Sequence, residues 1–245
     1  MPCFNMPYRT SRPITRKDTA PRSERVTLGQ STTLRLQIFL SGCNFRCPFC
    51  HNTPLLTADA ADGMAEEELL AFLKKRQGLL DGVAITGGEP LLRPDLPALL
   101  EKIKALGYAV KLDTNGAFPD RLEQIVRAGL ADYVAMDVKN SPARYAQTVS
   151  MAELDLAPIE KSVSFLLRGT VDYEFRTTAV AELHDDASFL SLADWLAGAR
   201  RYFIQCFEPR QTVLQADLHA PSPAQLHHWA ELVRPNISNV SLRGI

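Results

Sequence analysis

Three thiols fall within eight residues in the run Ser-Gly-Cys-Asn-Phe-Arg-Cys-Pro-Phe-Cys-His-Asn, Ser41 to Asn52. They are Cys43, Cys47 and Cys50, spaced C-x3-C-x2-C. A loop of this length can turn its sulfurs towards one centre, and thiolates are the soft ligands that iron-sulfur clusters and zinc both accept. The spacing alone leaves both open. With His51 as a fourth ligand the loop would form a closed tetrahedral zinc site. Structural zinc sites usually draw on two separated ligand pairs, however, and His51 directly abuts Cys50. An iron-sulfur cube held by only three cysteines keeps one iron without a protein ligand, where a substrate or cofactor can coordinate.

Other groups of chemical interest follow at intervals. The run Ala-Ile-Thr-Gly-Gly-Glu-Pro, Ala84 to Pro90, ends an apolar stretch with two glycines and a carboxylate. Glycines let a backbone approach a ligand closely, and a carboxylate beside exposed carbonyls suits an ammonium group. Further polar clusters are Asp113-Thr114-Asn115-Gly116, Asp137-Val138-Lys139 and Arg176-Thr177-Thr178. Taken singly, each is equally well read as a helix cap, a turn or an ion pair inside a barrel. Of the remaining cysteines, Cys206 closes an apolar stretch and reads as a small buried hydrophobe, and Cys3 lies in a basic N-terminal segment.

Something must bring these groups together. Apolar runs bounded by Gly, Asp or Asn alternate with amphipathic stretches, the pattern of repeated βα units. Strands are predicted at Thr33–Leu40, Gly82–Thr86, Tyr108–Asp113, Tyr133–Asp137, Tyr173–Thr178 and Tyr202–Cys206. Helices are predicted at Ala65–Gln77, Pro94–Leu106, Asp120–Ala128, Pro158–Leu167, Ala187–Ala197 and Pro223–Val233. Parallel strands joined by right-handed helical crossovers curl into a barrel whose polar strand ends share one rim, and every cluster named above falls at such an end. The fold class expected is α/β, a partial barrel of six βα units over residues 26–245. Residues 1–25, with six basic side chains against Asp18 and Glu24 and no apolar period, are expected to form a flexible basic arm.

Composition narrows the field. The 245 residues are 46% hydrophobic and 22% charged, ordinary for a globular chain. Lys and Arg number 27 against 28 Asp and Glu, so no overall field draws the chain to nucleic acid or an anionic membrane. The longest apolar stretches, such as Leu36–Leu40, fall far short of the ~20 residues that span a bilayer. Met1–Tyr8 lacks the apolar core of a secretion signal. A cytoplasmic, reducing location is expected, where an odd count of five cysteines argues for metal or redox chemistry over disulfides.

In this order the motifs resemble those of the radical S-adenosylmethionine (SAM) superfamily, whose hallmark is C-x3-C-x2-C with an aromatic before the last cysteine, here Phe49. Gly87-Gly88-Glu89-Pro90 is similar to its second motif. Cys50-His51-Asn52, Asp113 to Gly116, Asp137 to Lys139, Glu174 to Thr178 and Val240 to Gly244 resemble the activating enzymes of glycyl radical proteins, and most closely those for anaerobic ribonucleoside-triphosphate reductase. The resemblance implies that Cys43, Cys47 and Cys50 hold a [4Fe-4S] cluster whose open iron chelates S-adenosylmethionine. It implies that Gly87, Gly88 and Glu89 take the ammonium, that Asp113, Thr114 and Asp137 lie near a monovalent cation, that Lys139 adds charge there, and that Arg176 reaches the ribose or carboxylate. The implied partners are a glycyl radical protein as substrate and a flavodoxin or ferredoxin as electron donor. Asn52 to Gly63 carries no cysteine-rich insert, so only the single-cluster branch fits. Two alternatives stand beside this one: a radical enzyme that makes a carboxylated deazapurine, and a zinc-stabilised interaction module without catalysis. The deazapurine family tends to place Asp-Thr where this chain has His51-Asn52.

Overall fold

The computed structural model describes residues 14–15, 23–28, 31–56 and 63–245. In chain order its strands are β1 (Ile14–Thr15), β2 (Ser23–Leu28), β3 (Ser31–Leu40), β4 (Gly63–Met64), β5 (Gly82–Gly87), β6 (Ala109–Thr114), β7 (Tyr133–Asp137), β8 (Asp172–Ala179), β9 (Tyr202–Cys206) and β10 (Val240–Arg243). The helices are α1 (Glu66–Lys74), α2 (Leu96–Ala105), α3 (Pro119–Arg127), α4 (Tyr145–Thr148), α5 (Ala157–Leu167), α6 (Asp186–Trp195) and α7 (Pro223–Val233).

Strands β3, β5, β6, β7, β8, β9 and β10 pair in sequence, each parallel to the next. Such strands are covered on both faces, and their sequences show it: Val83, Ile85, Leu112, Val134, Met136, Phe175 and Ile204 are all fully buried. Helix boundaries follow local chemistry. Proline opens α3 and α7, where a missing N–H costs nothing, and α7 adds a reciprocal capping box between Ser222 and Gln225. The helices α2 and α3 stop just before Gly107 and Gly129.

All six expected parallel strands are present, and the fold is an open α/β barrel. A seventh parallel strand, β10, joins the β9 edge; its residues Val-Ser-Leu-Arg are at most half-buried, too short and polar to stand out as a strand. At the other end β1 and β2 pair antiparallel with β3, and β1 also pairs with β4. Ile14–Thr15 and Ser23–Leu28 thus extend the sheet, within or overlapping the stretch expected as a basic arm; the rest of that stretch, Cys3 included, lies outside the described residues. Among the described residues the strand path runs from β10 to β4 without the two ends pairing, which leaves one side of the barrel open. Among the described residues no helix is long and apolar enough to cross a membrane.

Candidate active site

Strand β3 delivers the cysteine loop to the carboxyl-end rim. The loop is laced to its surroundings by main-chain bonds: Gly42 N–H donates to Leu55 O at 2.7 Å, Arg46 N–H to Val149 O at 3.1 Å, and Cys50 N–H to Cys47 O at 3.1 Å. The β3–β5 pairing continues past the strand ends, with Gly88 N–H donating to Leu40 O and Glu89 N–H to Gly42 O, both at 2.8 Å. This is the close approach for which two glycines are needed. A Cβ on Gly87 would lie 2.2 Å from Leu40 O, and one on Gly88 only 2.1 Å from Gly42 O. Gly88→Ala is accordingly expected to push the two loops apart, costing about 1–3 kcal/mol of stability, the range for forced overpacking. Chemical denaturation of the purified variant measures it.

The loops wall a cavity of about 240 Å³. Its lining includes the candidate residues Cys43, Cys47, Phe49, Cys50, Gly87, Gly88, Asp113, Thr114, Asp137, Lys139 and Arg176. Strand ends far apart in sequence therefore meet at one site. The three thiols share its wall, yet among the described residues no three His, Cys, Asp or Glu side chains are gathered as one metal ion would require. Thiolates are the soft donors that an iron-sulfur cluster takes. His51, the fourth ligand of the zinc alternative, has its Nε2 2.7 Å from Glu208 O and its ring stacked on Phe207. Burial pushes the Cys47 thiol up to about 12 and raises Cys43 as well, so binding a metal there must displace a proton.

Glu89 stands apart from the other candidate residues. Its carboxylate does not line the cavity; it is fully buried and spoken for. Oε1 accepts from Leu91 N–H at 3.0 Å and from the Thr114 hydroxyl at 2.8 Å, and Oε2 accepts from Asn115 N–H at 2.6 Å. Glu89 is thus a hub that ties the β5 turn to the end of β6. Asn52, which the sequence marks only as the end of the Cys50-His51-Asn52 motif, donates through Nδ2 to Gly87 O at 3.0 Å and fixes that carbonyl. Asn115, named in the sequence only as part of the Asp113 to Gly116 cluster, has a definite partner. Its Nδ2 donates to Asn44 Oδ1 at 2.8 Å, joining β6 to the cysteine loop. No local signal marks either contact, because each partner is distant in sequence.

The opposite wall is a chain of alternating charges. Asp137 accepts from Arg176 Nε at 2.7 Å and from Lys139 Nζ at 2.9 Å. Arg176 also lies 3.4 Å from Asp113, which faces Lys111 at 3.2 Å, and Lys111 lies 3.7 Å from Glu174. Arg243 of β10 closes the series on Glu174 at 3.2 Å. Burial alone would raise the Asp137 carboxyl, but Arg176 and Lys139 outweigh it and hold the group well below the usual carboxylate range. Burial would likewise lower Lys139, and Asp137 reverses that. Arg176 bridges Asp113 and Asp137, which sets its guanidinium between two of the residues expected near a monovalent cation. The charged groups of this chain that line the cavity, Lys139 and Arg176 with Asp113 and Asp137, balance one another.

An open α/β barrel with a three-thiol loop and a glycine-lined turn at its rim defines a class of cofactor-dependent enzyme. The chain belongs to the radical SAM superfamily, whose model matches residues 38–185, from β3 to the start of α6. It is a radical SAM enzyme and uses a [4Fe-4S] cluster with S-adenosylmethionine. A protein of Methanocaldococcus jannaschii provisionally named a glycyl-radical enzyme activating enzyme is 33% identical over 218 residues, 85% of this chain and 88% of that relative. A 7-carboxy-7-deazaguanine synthase of Hyperthermus butylicus is 38% identical over 115 residues, 46% of each chain. Among solved structures, a domain of pyruvate-formate lyase-activating enzyme from Bacteroides vulgatus superposes with a TM-score of 0.54 at 19% identity, covering 66% of this chain and 99% of that one. Streptococcus suis SuiB bound to S-adenosylmethionine gives 0.68 at 14% identity over 87% of this chain and 51% of SuiB, a likeness of fold.

Proposed function

We propose that this chain is an activating enzyme that generates a glycyl radical on a partner enzyme, an anaerobic ribonucleoside-triphosphate reductase. The observation that carries the reading is the extent of the match to the Methanocaldococcus relative, 85% of this chain and 88% of that protein, against 46% of each for the Hyperthermus deazaguanine synthase. A shared barrel explains a half-length match; a shared architecture from end to end supports a shared task.

In this reading Cys43, Cys47 and Cys50 hold the [4Fe-4S] cluster, and Phe49, buried beside them, keeps water from that wall. Bound together, cluster and S-adenosylmethionine supply a one-electron cleavage that yields a primary alkyl radical able to take a hydrogen atom. The chain's own residues bind and orient. The Gly87 and Gly88 backbone, steadied by Asn52 and by the Glu89 hub, receives the ammonium, and Lys139 and Arg176 receive the carboxylate. The Cα of a glycine gives up hydrogen readily because its radical spreads over two flanking amides, so the substrate is a backbone glycine of another protein. A flavodoxin or ferredoxin supplies the electron.

The test mixes reconstituted enzyme, S-adenosylmethionine, dithionite and an anaerobic ribonucleotide reductase without oxygen. A glycine doublet in electron paramagnetic resonance is expected. The second reading, a deazaguanine synthase, draws on the relatives of that name that match at 29–38% identity over part of the chain. It is favoured instead if no protein radical forms while a deazapurine precursor stimulates formation of 5′-deoxyadenosine.

A further inference from the structure

The segment after β9, residues 207–218, leaves the sixth parallel strand and runs to the loop that follows the first. It therefore bridges the carboxyl end of β9 to the loop after β3, across the side where, among the described residues, the sheet makes no closure. Its ends are anchored by Phe207 and Leu218, both buried, and between them every residue but Val213 is exposed. The middle is clipped to the cysteine loop. Thr53 Oγ1 donates to Thr212 O at 2.5 Å, Thr212 Oγ1 to His51 O at 3.3 Å, and Gln215 N–H to Pro48 O at 3.0 Å, while His51 Nε2 lies 2.7 Å from Glu208 O. These contacts join residues some 160 positions apart and straddle Cys50, so they are a built connection. Bonds made at exposed positions are individually weak, which lets such a clip open without unfolding the barrel that carries it.

We propose that residues 207–218 are a strap closing the open side of the barrel above the cysteine loop, and that it unclips to admit a segment of a protein substrate to the cavity. The inference deepens the protein-substrate reading and rests on it for the nature of what is admitted. A small cofactor needs no such gate, since the cavity already opens at the rim. A folded protein must bring a loop in from the side, past the place where the strap lies.

The cavity thiols report access directly. In the full-length chain without its cluster, Cys43, Cys47 and Cys50 are alkylated either by N-ethylmaleimide or by a maleimide carried on a short linker from ubiquitin, and modification is located by mass spectrometry. The strap is opened by Thr53→Val with Thr212→Ala, two exposed hydroxyls whose removal leaves the core intact; Thr53→Val alone serves as the milder variant, and equal melting temperatures establish that all three proteins are folded. The expected result is a protein-borne reaction roughly tenfold faster in the double variant, intermediate in the single one, with the small reagent changed less than twofold. An unchanged protein-borne rate overturns the proposal. Equal acceleration of both reagents also overturns it, since the segment would then merely stabilise the loop. Failure of the glycyl radical experiment leaves these rates untouched, so the two readings fail separately.

Discussion

Replacing Cys47 with alanine is expected to leave a folded protein that, reconstituted anaerobically, lacks the brown iron-sulfur absorbance and forms no 5′-deoxyadenosine above background with dithionite and S-adenosylmethionine. Changing a group that merely supports a metal ligand costs roughly 10–100-fold in affinity or activity, and loss of a ligand itself should cost more. Cys47 is the most deeply placed of the three thiols, 7% exposed, between Phe45 and Phe49 in the wall. Iron and sulfide analysis decides the matter independently of turnover. Four irons per chain retained in Cys47→Ala would remove this cysteine from the ligand set proposed here.

Much of this arrangement could be read before any coordinates. Alternation of apolar runs and amphipathic stretches locates β7, β9 and α7 to the residue, since those elements are bounded by sharp local signals: Asp132 and Asp137 around one strand, Ser222-Pro223 before the helix. The cavity residues were legible for the same reason, because a parallel barrel places every strand's carboxyl end on one rim, and chemistry-bearing types at those ends must meet there. What the pattern does not encode is direction and distance. Glu89 sits beside exposed carbonyls in sequence, but its side chain turns inward to three donors contributed by Leu91, Thr114 and Asn115. The strap's contacts with Pro48, His51 and Thr53 depend on the barrel curling, and no local periodicity reports that. The same holds for the Lys111–Glu174–Arg243 links, which exist only because β6, β8 and β10 point those residues into one interior.

Glu89 gives the second large effect, and it separates a hub from a ligand contact. Glu89→Ala orphans three buried donors, each worth about 1–3 kcal/mol when left unpaired, so the cofactor-free protein should lose roughly 3 kcal/mol or more. A residue that met only the ammonium of a bound cofactor would leave the stability of the empty protein nearly unchanged. The sign of the pH dependence follows from burial, which pushes the carboxyl up to about 7 against the pull of its three hydrogen bonds. A group raised in the folded state binds its proton more tightly there than in the unfolded chain, so its contribution is complete below the ordinary value of 4.5 and is lost as pH rises through about 7. The stake is about 3 kcal/mol across that window. Glu89→Gln removes the titration while keeping one acceptor oxygen. It should be less stable than the parent at pH 5, by about 1–3 kcal/mol for the donor it cannot satisfy, and should draw level by pH 8, where the parent has surrendered its own advantage. Urea midpoints for both proteins, cofactor-free, at pH 5 to 8 give the answer: converging curves establish a buried titrating hub, whereas parallel curves would return Glu89 to the cavity wall.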